Sequence, residues 1–159
     1  MFFVASAPLA ADGHVNLSPK GQDTFRVLSP ARAAYLDLTG SGIETAAHVK
    51  ENGRITLMFC AFQGPPKVLR LYGTGRVIRP GDGEWQELAA KFPELPGRRL
   101  IVDVFVSRVH TSCGMAVPYL QLAGPRNQLN QWAQKQGPAG VADYWKRKNA
   151  QSIDGLPGI

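Results

Sequence analysis

At 159 residues, 44% of them hydrophobic, and with only two cysteines, the chain has enough apolar content for one folded domain and too few thiols for a disulfide framework. Its formal net charge of +6 suits an anionic partner, but the basic residues are scattered, and the single run, Lys146-Arg147-Lys148, ends a helical stretch where the helix dipole favours cations anyway. No segment approaches the roughly 20 apolar residues of a membrane span, and no nucleic-acid-binding motif accompanies the charge.

The opening MFFVASAPLA lacks the basic flank of a secretory signal, and its residues favour a strand, Phe2 to Ala7, followed by a turn at Asp12-Gly13. Further strands are expected over His14 to Ser18 and Arg32 to Leu38. The latter runs into the glycine turn Thr39 to Gly42 and a helix from Glu44 to Asn52 closed by Gly53.

Arg54 to Phe59 and Lys67 to Ile78 read as the next two strands, and Glu84 to Lys91 as a second helix after the PGDG turn. Arg99 to Val109 is almost continuously apolar, the pattern of a strand buried on both faces. The tail from Asn127 to Arg147 is helical in two pieces divided by Gly137-Pro138, and SIDGLPGI is rich in turn formers. Six strands joined mostly by connections too short for crossover helices predict a mainly β fold, a β-barrel decorated with helices, in one domain spanning 1–159.

Three places carry candidate chemistry. Thr39-Gly40-Ser41-Gly42 opens a helix, where free amides and the positive dipole end meet an anion, and the hydroxyls of Thr39, Ser41 and Thr45 add donors. The same pattern also describes a plain helix entry. In VNLSPKG a strand ends at Ser18 and Lys20 projects from the turn, where a lysine suits a phosphate or a carbonyl oxygen. In HTSCGMAVP, Cys113 follows Ser112 and lies near His110, without the third orienting group that a nucleophile needs. Cys60 and Cys113 lie far apart and no Cys/His cluster has metal spacing, so a metal site is not expected and a reducing, cytoplasmic setting is.

The segments VNLSPKGQD, YLDLTGSGIETAAHVKENGRITLMF and VLRLYGTGRVI resemble the successive core strands of the pyridoxamine 5'-phosphate oxidase-like split barrels. VHTSCGMAVPYLQLAG and the terminal NAQSIDGLPGI resemble an uncharacterised subgroup of that family. The resemblance implies a six-stranded split barrel, a homodimer, and flavin mononucleotide (FMN) bound between the subunits for the oxidation or reduction of a small molecule.

On this reading Ser18, Lys20, Thr39, Ser41 and Thr45 contact the cofactor, with Ser112 and Cys113 lining the ring side; no side chain is nominated as catalytic acid or base, since the flavin does the electron chemistry. A short helix ahead of the first strand belongs to the family pattern. Where the oxidases carry a Ser-Arg-Lys phosphate grip this chain has Ile43-Glu44-Thr45, and Val15 and Val68 replace an expected arginine and glutamine. The alternatives are a non-catalytic flavin, deazaflavin or haem binder on the same fold and, on the charge of +6, a nucleic-acid-binding barrel.

Overall fold

The computed structural model describes residues 1–159. Seven strands and three helices follow one another as β1 Phe2–Ser6, β2 Asn16–Lys20, β3 Phe25–Ser29, β4 Arg32–Leu38, α1 Glu44–Asn52, β5 Arg54–Cys60, β6 Val68–Ile78, α2 Trp85–Ala89, β7 Arg98–Ser112 and α3 Gln128–Lys148. All strands join one antiparallel sheet in the order β2-β1-β5-β6-β7-β4-β3.

The sheet curls until its two ends meet through side chains. Phe2 of β1 packs on Phe25 of β3 at 5.4 Å between ring centroids and on Tyr35 of β4 at 5.7 Å, and Lys20 of β2 reaches Asp37 of β4. No ladder joins β2 to β3 in the strand order, so the wall is a barrel with a slit, and aromatic burial stands in for the missing hydrogen bonds.

The run expected to be buried on both faces from Arg99 to Val109 is so only over Arg99 to Val104; beyond it Phe105 and Val109 are exposed, because that half of β7 extends past the core. Leu100, Val102 and Val104 point into the barrel with Val4, Tyr35 and Leu57, while Ile101 faces outward with Ala34 and Leu36 under Trp85, Leu88 and Phe92 around α2. Helix α1 plugs the barrel with Ile43, Ala46 and Val49. It ends where Gly53 adopts a left-handed φ of 73° and donates its N–H to the Val49 carbonyl, a conformation that glycine enters without steric cost.

Two expectations about strands change. The barrel has seven strands, because Phe25–Ser29 forms an extra edge strand paired only with β4. As an edge strand it leaves Val27 exposed and shows no clean inside-outside alternation. Strand β2 is Asn16–Lys20 rather than His14 to Ser18: its register runs from Ser6 opposite Asn16 to Phe2 opposite Lys20. Pro19 is tolerated there because β2 is an edge, where a missing donor costs no ladder bond.

Asp12-Gly13 therefore lies inside a longer connection, not a two-residue hairpin. The terminal helix bends where expected, at Gly137, with φ 65° and ψ 172°, just before Pro138. No helix is long and apolar enough to cross a membrane.

Candidate functional site

A cavity of about 350 Å³ opens where β2, the end of β4, the glycine turn and the first turn of α1 converge. Period-two alternation along edge strand β2 turns Asn16, Ser18 and Lys20 inward while Leu17 and Pro19 stay exposed. Strand β4 supplies Tyr35 and Asp37 to the floor, and β7 supplies Arg99.

Asp37 organises the floor. One of its oxygens accepts from Lys20 Nζ at 2.8 Å, and the other from Arg99 Nη2 at 2.6 Å and Nε at 3.0 Å. Burial pushes the Asp37 carboxyl up, but the charges of Lys20 and Arg99 and their hydrogen bonds outweigh it, so the group lies below the usual carboxylate range. Two cations against one carboxylate leave the floor with a positive excess.

The glycine turn is held from behind. Arg99 Nη1 donates to the Gly42 carbonyl at 2.9 Å and to that of Gly40 at 3.4 Å, while Asn149 Nδ2 donates to the carbonyls of Gly40 and Ser41 at 3.0 and 3.3 Å. A trans peptide carries its N–H opposite its C=O. Pinning the Gly40 and Ser41 carbonyls on Asn149 therefore turns the amides of Ser41 and Gly42 away from α3, in a turn whose residues line the cavity. Successive amides presented from one turn at a helix start form an anion-binding concavity.

Two features temper the positive field. The Glu44 carboxylate folds back directly over Gly42, where a side chain at that position would collide with it. The helix end thus carries its own anion. The Tyr35 hydroxyl, fully buried on the floor, makes no hydrogen bond of good geometry, and burial, followed by the Asp37 charge, pushes its ionisation well above the ordinary range, with Arg99 and the neighbouring Thr45 hydroxyl pulling the other way. It is a neutral donor whose neighbouring candidate acceptor is the Thr45 hydroxyl, poorly placed for a full hydrogen bond.

Of the residues singled out from sequence, Ser18, Lys20, Ser41 and Thr45 share this cavity. Lys20 acts from within a strand rather than from a turn, and Thr45 Oγ1 accepts from Asn16 Nδ2 at 2.8 Å. Thr39 does not line the cavity. Its hydroxyl donates to the Gly97 carbonyl and accepts from Trp145 Nε1 at 2.9 Å, tying α3 to the barrel.

Ser112 and Cys113 sit at the opposite end of β7, roughly 40 Å along the strand from Arg99 at the usual rise per residue. There Ser112 accepts from Arg70 Nη1 and Cys113 is exposed. One chain does not bring them to the cavity. Sequence reasoning missed Asp37, Arg99, Tyr35 and Asn149; the available signal was a pair of opposite charges, Asp37 and Arg99, set inside otherwise apolar strands.

No family model matches the chain. The ustO protein of Aspergillus flavus, a pyridoxamine 5'-phosphate oxidase family protein, is 38% identical over 176 aligned positions that take in all of this chain and 70% of that protein. The chain belongs to the pyridoxamine 5'-phosphate oxidase family.

Solved structures agree on the fold of this family member. HupZ of Group A Streptococcus superposes with a TM-score of 0.54 at 19% identity, over 76% of this chain and 89% of that one. A Lactobacillus delbrueckii protein named for pyridoxamine 5'-phosphate oxidase gives 0.52 at 24%, over 69% and 82%. The split barrel expected from the sequence is the fold these relatives share.

Proposed function

We propose that this family member binds FMN with its phosphate at the glycine turn, in a site completed by a second copy of the chain, and serves as an oxidoreductase for a small molecule. The observation that carries the reading is the pinned turn: Arg99 and Asn149 fix three successive carbonyls, so the amides of the turn are preorganised before any ligand arrives.

The residues fit the group. Lys20 retains donors beyond its bond to Asp37, Ser18 and Ser41 add hydroxyls, and the Tyr35 hydroxyl offers one further donor on the floor. A cavity of about 350 Å³ stands at the small end of the range for ligand sites, about 300–1,000 Å³. In this reading one chain encloses the phosphate end of FMN and the second copy covers the remainder.

The exposed apolar side chains support that dimer: Val15 and Leu17 beside the cavity, and Met115, Tyr119 and Leu122 on the irregular segment after β7. Ser112 and Cys113, remote within one chain, would reach the ring side of a partner's cavity. When bound, the flavin supplies the electron chemistry. The chain's part is to seat the anionic tail, keep Asp37 ionised beneath it and exclude water. Two free thiols, Cys60 and Cys113, favour a cytoplasmic setting.

The test is native mass measurement of purified protein with and without added FMN. A dimer retaining one flavin per chain, with the flavin's visible absorbance, is expected. A monomer that takes up none at micromolar FMN would sink the proposal.

A further inference from the structure

A second groove, of about 460 Å³, lies on the far side of α1, between its last turn and the start of the β6 to α2 connection. Val49 and Val77 give it apolar walls, and Lys50, Arg76 and Arg79 give it charge, with Asp82 at the rim. The cations are not equivalent. Arg76 is committed, through Nε to Asp103 at 2.9 Å and through both terminal nitrogens to Glu84 at 2.8 and 2.6 Å.

Lys50 and Arg79 belong to no ion pair. Asp82 forms no ion pair with Arg79: its carboxylate accepts from the backbone N–H of Arg79 at 2.7 Å, so its charge lowers the field at the rim but leaves the guanidinium's donors free of it. The two cations converge on one neutral oxygen, the Gly158 carbonyl, with Lys50 Nζ at 2.6 Å and Arg79 Nη2 at 3.3 Å. Burial first, then the Arg79 charge, hold the Lys50 ammonium below the ordinary lysine range, so the repulsion between them is felt.

A carbonyl dipole does not offset two like charges. We propose that this groove is a binding site for a phosphate monoester, Lys50 and Arg79 taking the phosphate and Val49 and Val77 taking the body of the molecule.

A phosphate monoester near neutral pH carries about −1.5 to −2 charge and three acceptor oxygens, which matches two unpaired cations approaching from different elements. A carboxylate, with one charge and two oxygens, does not. Lys50 has three donors and Arg79 five, so both can hold an oxyanion without releasing Gly158. The proposal is independent of any flavin at the other cavity.

The experiment is a titration of inorganic phosphate, then glycerol phosphate, into the isotopically labelled full chain at low chloride, reading the amide resonances. Saturable shifts at Lys50, at Arg79 and at Gly75, whose backbone also lines the groove, are expected at low millimolar ligand. Amides of Ser41 and Gly42 report the other cavity separately in the same spectra. Lys50→Gln and Arg79→Gln should each weaken the shifts at this groove about tenfold, the loss of one charge-assisted contact, while Lys50→Arg keeps them.

Acetate should leave these amides unmoved, and a single-stranded oligonucleotide, a phosphodiester, should bind the groove less tightly than glycerol phosphate. Because Lys50 and Arg79 also hold Gly158, a variant that unfolds decides nothing alone, and the wild-type spectra then settle the matter. Absence of saturable shifts at Lys50, Gly75 and Arg79 in wild type, tighter binding of acetate or oligonucleotide, or undiminished affinity in a folded Lys50→Gln/Arg79→Gln variant each overturns the proposal.

Discussion

Arg99 grips a single carboxylate oxygen of Asp37, with Nη2 at 2.6 Å and Nε at 3.0 Å, and both side chains are buried. This pair links β4 to β7 and, through the remaining guanidinium nitrogen, to the glycine turn. Asp37→Asn removes the only charge that answers Arg99 and Lys20 there. Breaking one side of such a buried pair costs about 3–5 kcal/mol, so the urea midpoint should fall steeply without a change in slope. A loss below about 1 kcal/mol, the range of exposed pairs, would mean that water reaches the floor.

The same carboxylate sets an acid limit. Its folded ionisation lies below the ordinary 3.8, so its contribution to stability is fully present above that value and is lost as pH falls through the lower, folded one. Stability measured from neutral pH downward should hold to about pH 4 and then drop. In Asp37→Asn the starting stability is lower and this part of the acid drop is absent.

The two histidines that contact other side chains should titrate in opposite senses. His14 bonds Asp154 at 2.6 Å, and that hydrogen bond, with the Asp154 charge, raises its ionisation above 6.5. Its contribution is therefore present below that value and fades as pH rises through the folded one. His48 is fully buried against Ser6 at 3.0 Å, and burial lowers it; its contribution is present above 6.5 and is lost as pH falls. Chemical denaturation of His14→Gln and His48→Gln between pH 5 and 8, the range in which histidine titrates, should show slopes displaced from wild type in opposite directions. Parallel profiles would contradict both assignments.

What the sequence reveals of this fold follows from how local the cause is. The strands β1, β4, β5 and β6 and the Gly53 helix stop are short-range effects, and they lie close to where expected, whereas β2 is displaced by two residues and β7 is buried only in its first half. Strand β3 escapes because an edge strand with Val27 exposed has no burial pattern to display. The site divides in the same way. Ser18, Lys20, Ser41 and Thr45 stand out because turn and helix-entry chemistry is written in adjacent residues. Arg99 and Asn149 meet the glycine turn only because the barrel and α3 bring distant parts of the chain together. No neighbour in sequence marks them.

Tyr35→Phe offers a change of unusual sign. The hydroxyl is buried without a hydrogen bond of good geometry, and an unsatisfied buried donor costs about 1–3 kcal/mol. Removing it while keeping the ring's packing against Phe2 should raise the melting temperature of the ligand-free protein. If ligand supplies the missing acceptor, the variant should also bind that ligand more weakly. A variant less stable than wild type would show that the hydroxyl is already satisfied.

Glu44 tests the anion reading directly. Its carboxylate covers Gly42 at the mouth of the turn, where a phosphate would meet a like charge. Glu44→Gln keeps the shape and removes the charge, so FMN or inorganic phosphate should bind this cavity several-fold more tightly at low salt, with a larger loss of affinity as salt is added. Unchanged affinity would place the bound anion away from the helix start.

The segment after β7 offers the test of the proposed dimer. Met115, Tyr119 and Leu122 are each more than 80% exposed, on a stretch without regular structure whose contact with the body includes the Leu120 amide on the Phe62 carbonyl. Apolar side chains left in water along such an arm favour burial against another surface. In the proposed dimer that surface belongs to the second copy, near the cavity that one chain leaves incomplete. Leu122→Asp buries a charge there without altering the barrel, so it should weaken self-association about tenfold or more, seen as a shift toward monomer by light scattering. Flavin retention should fall in the same proportion. A variant that stays dimeric and keeps its flavin would place the interface elsewhere and leave Ser112 and Cys113 without a route to the site.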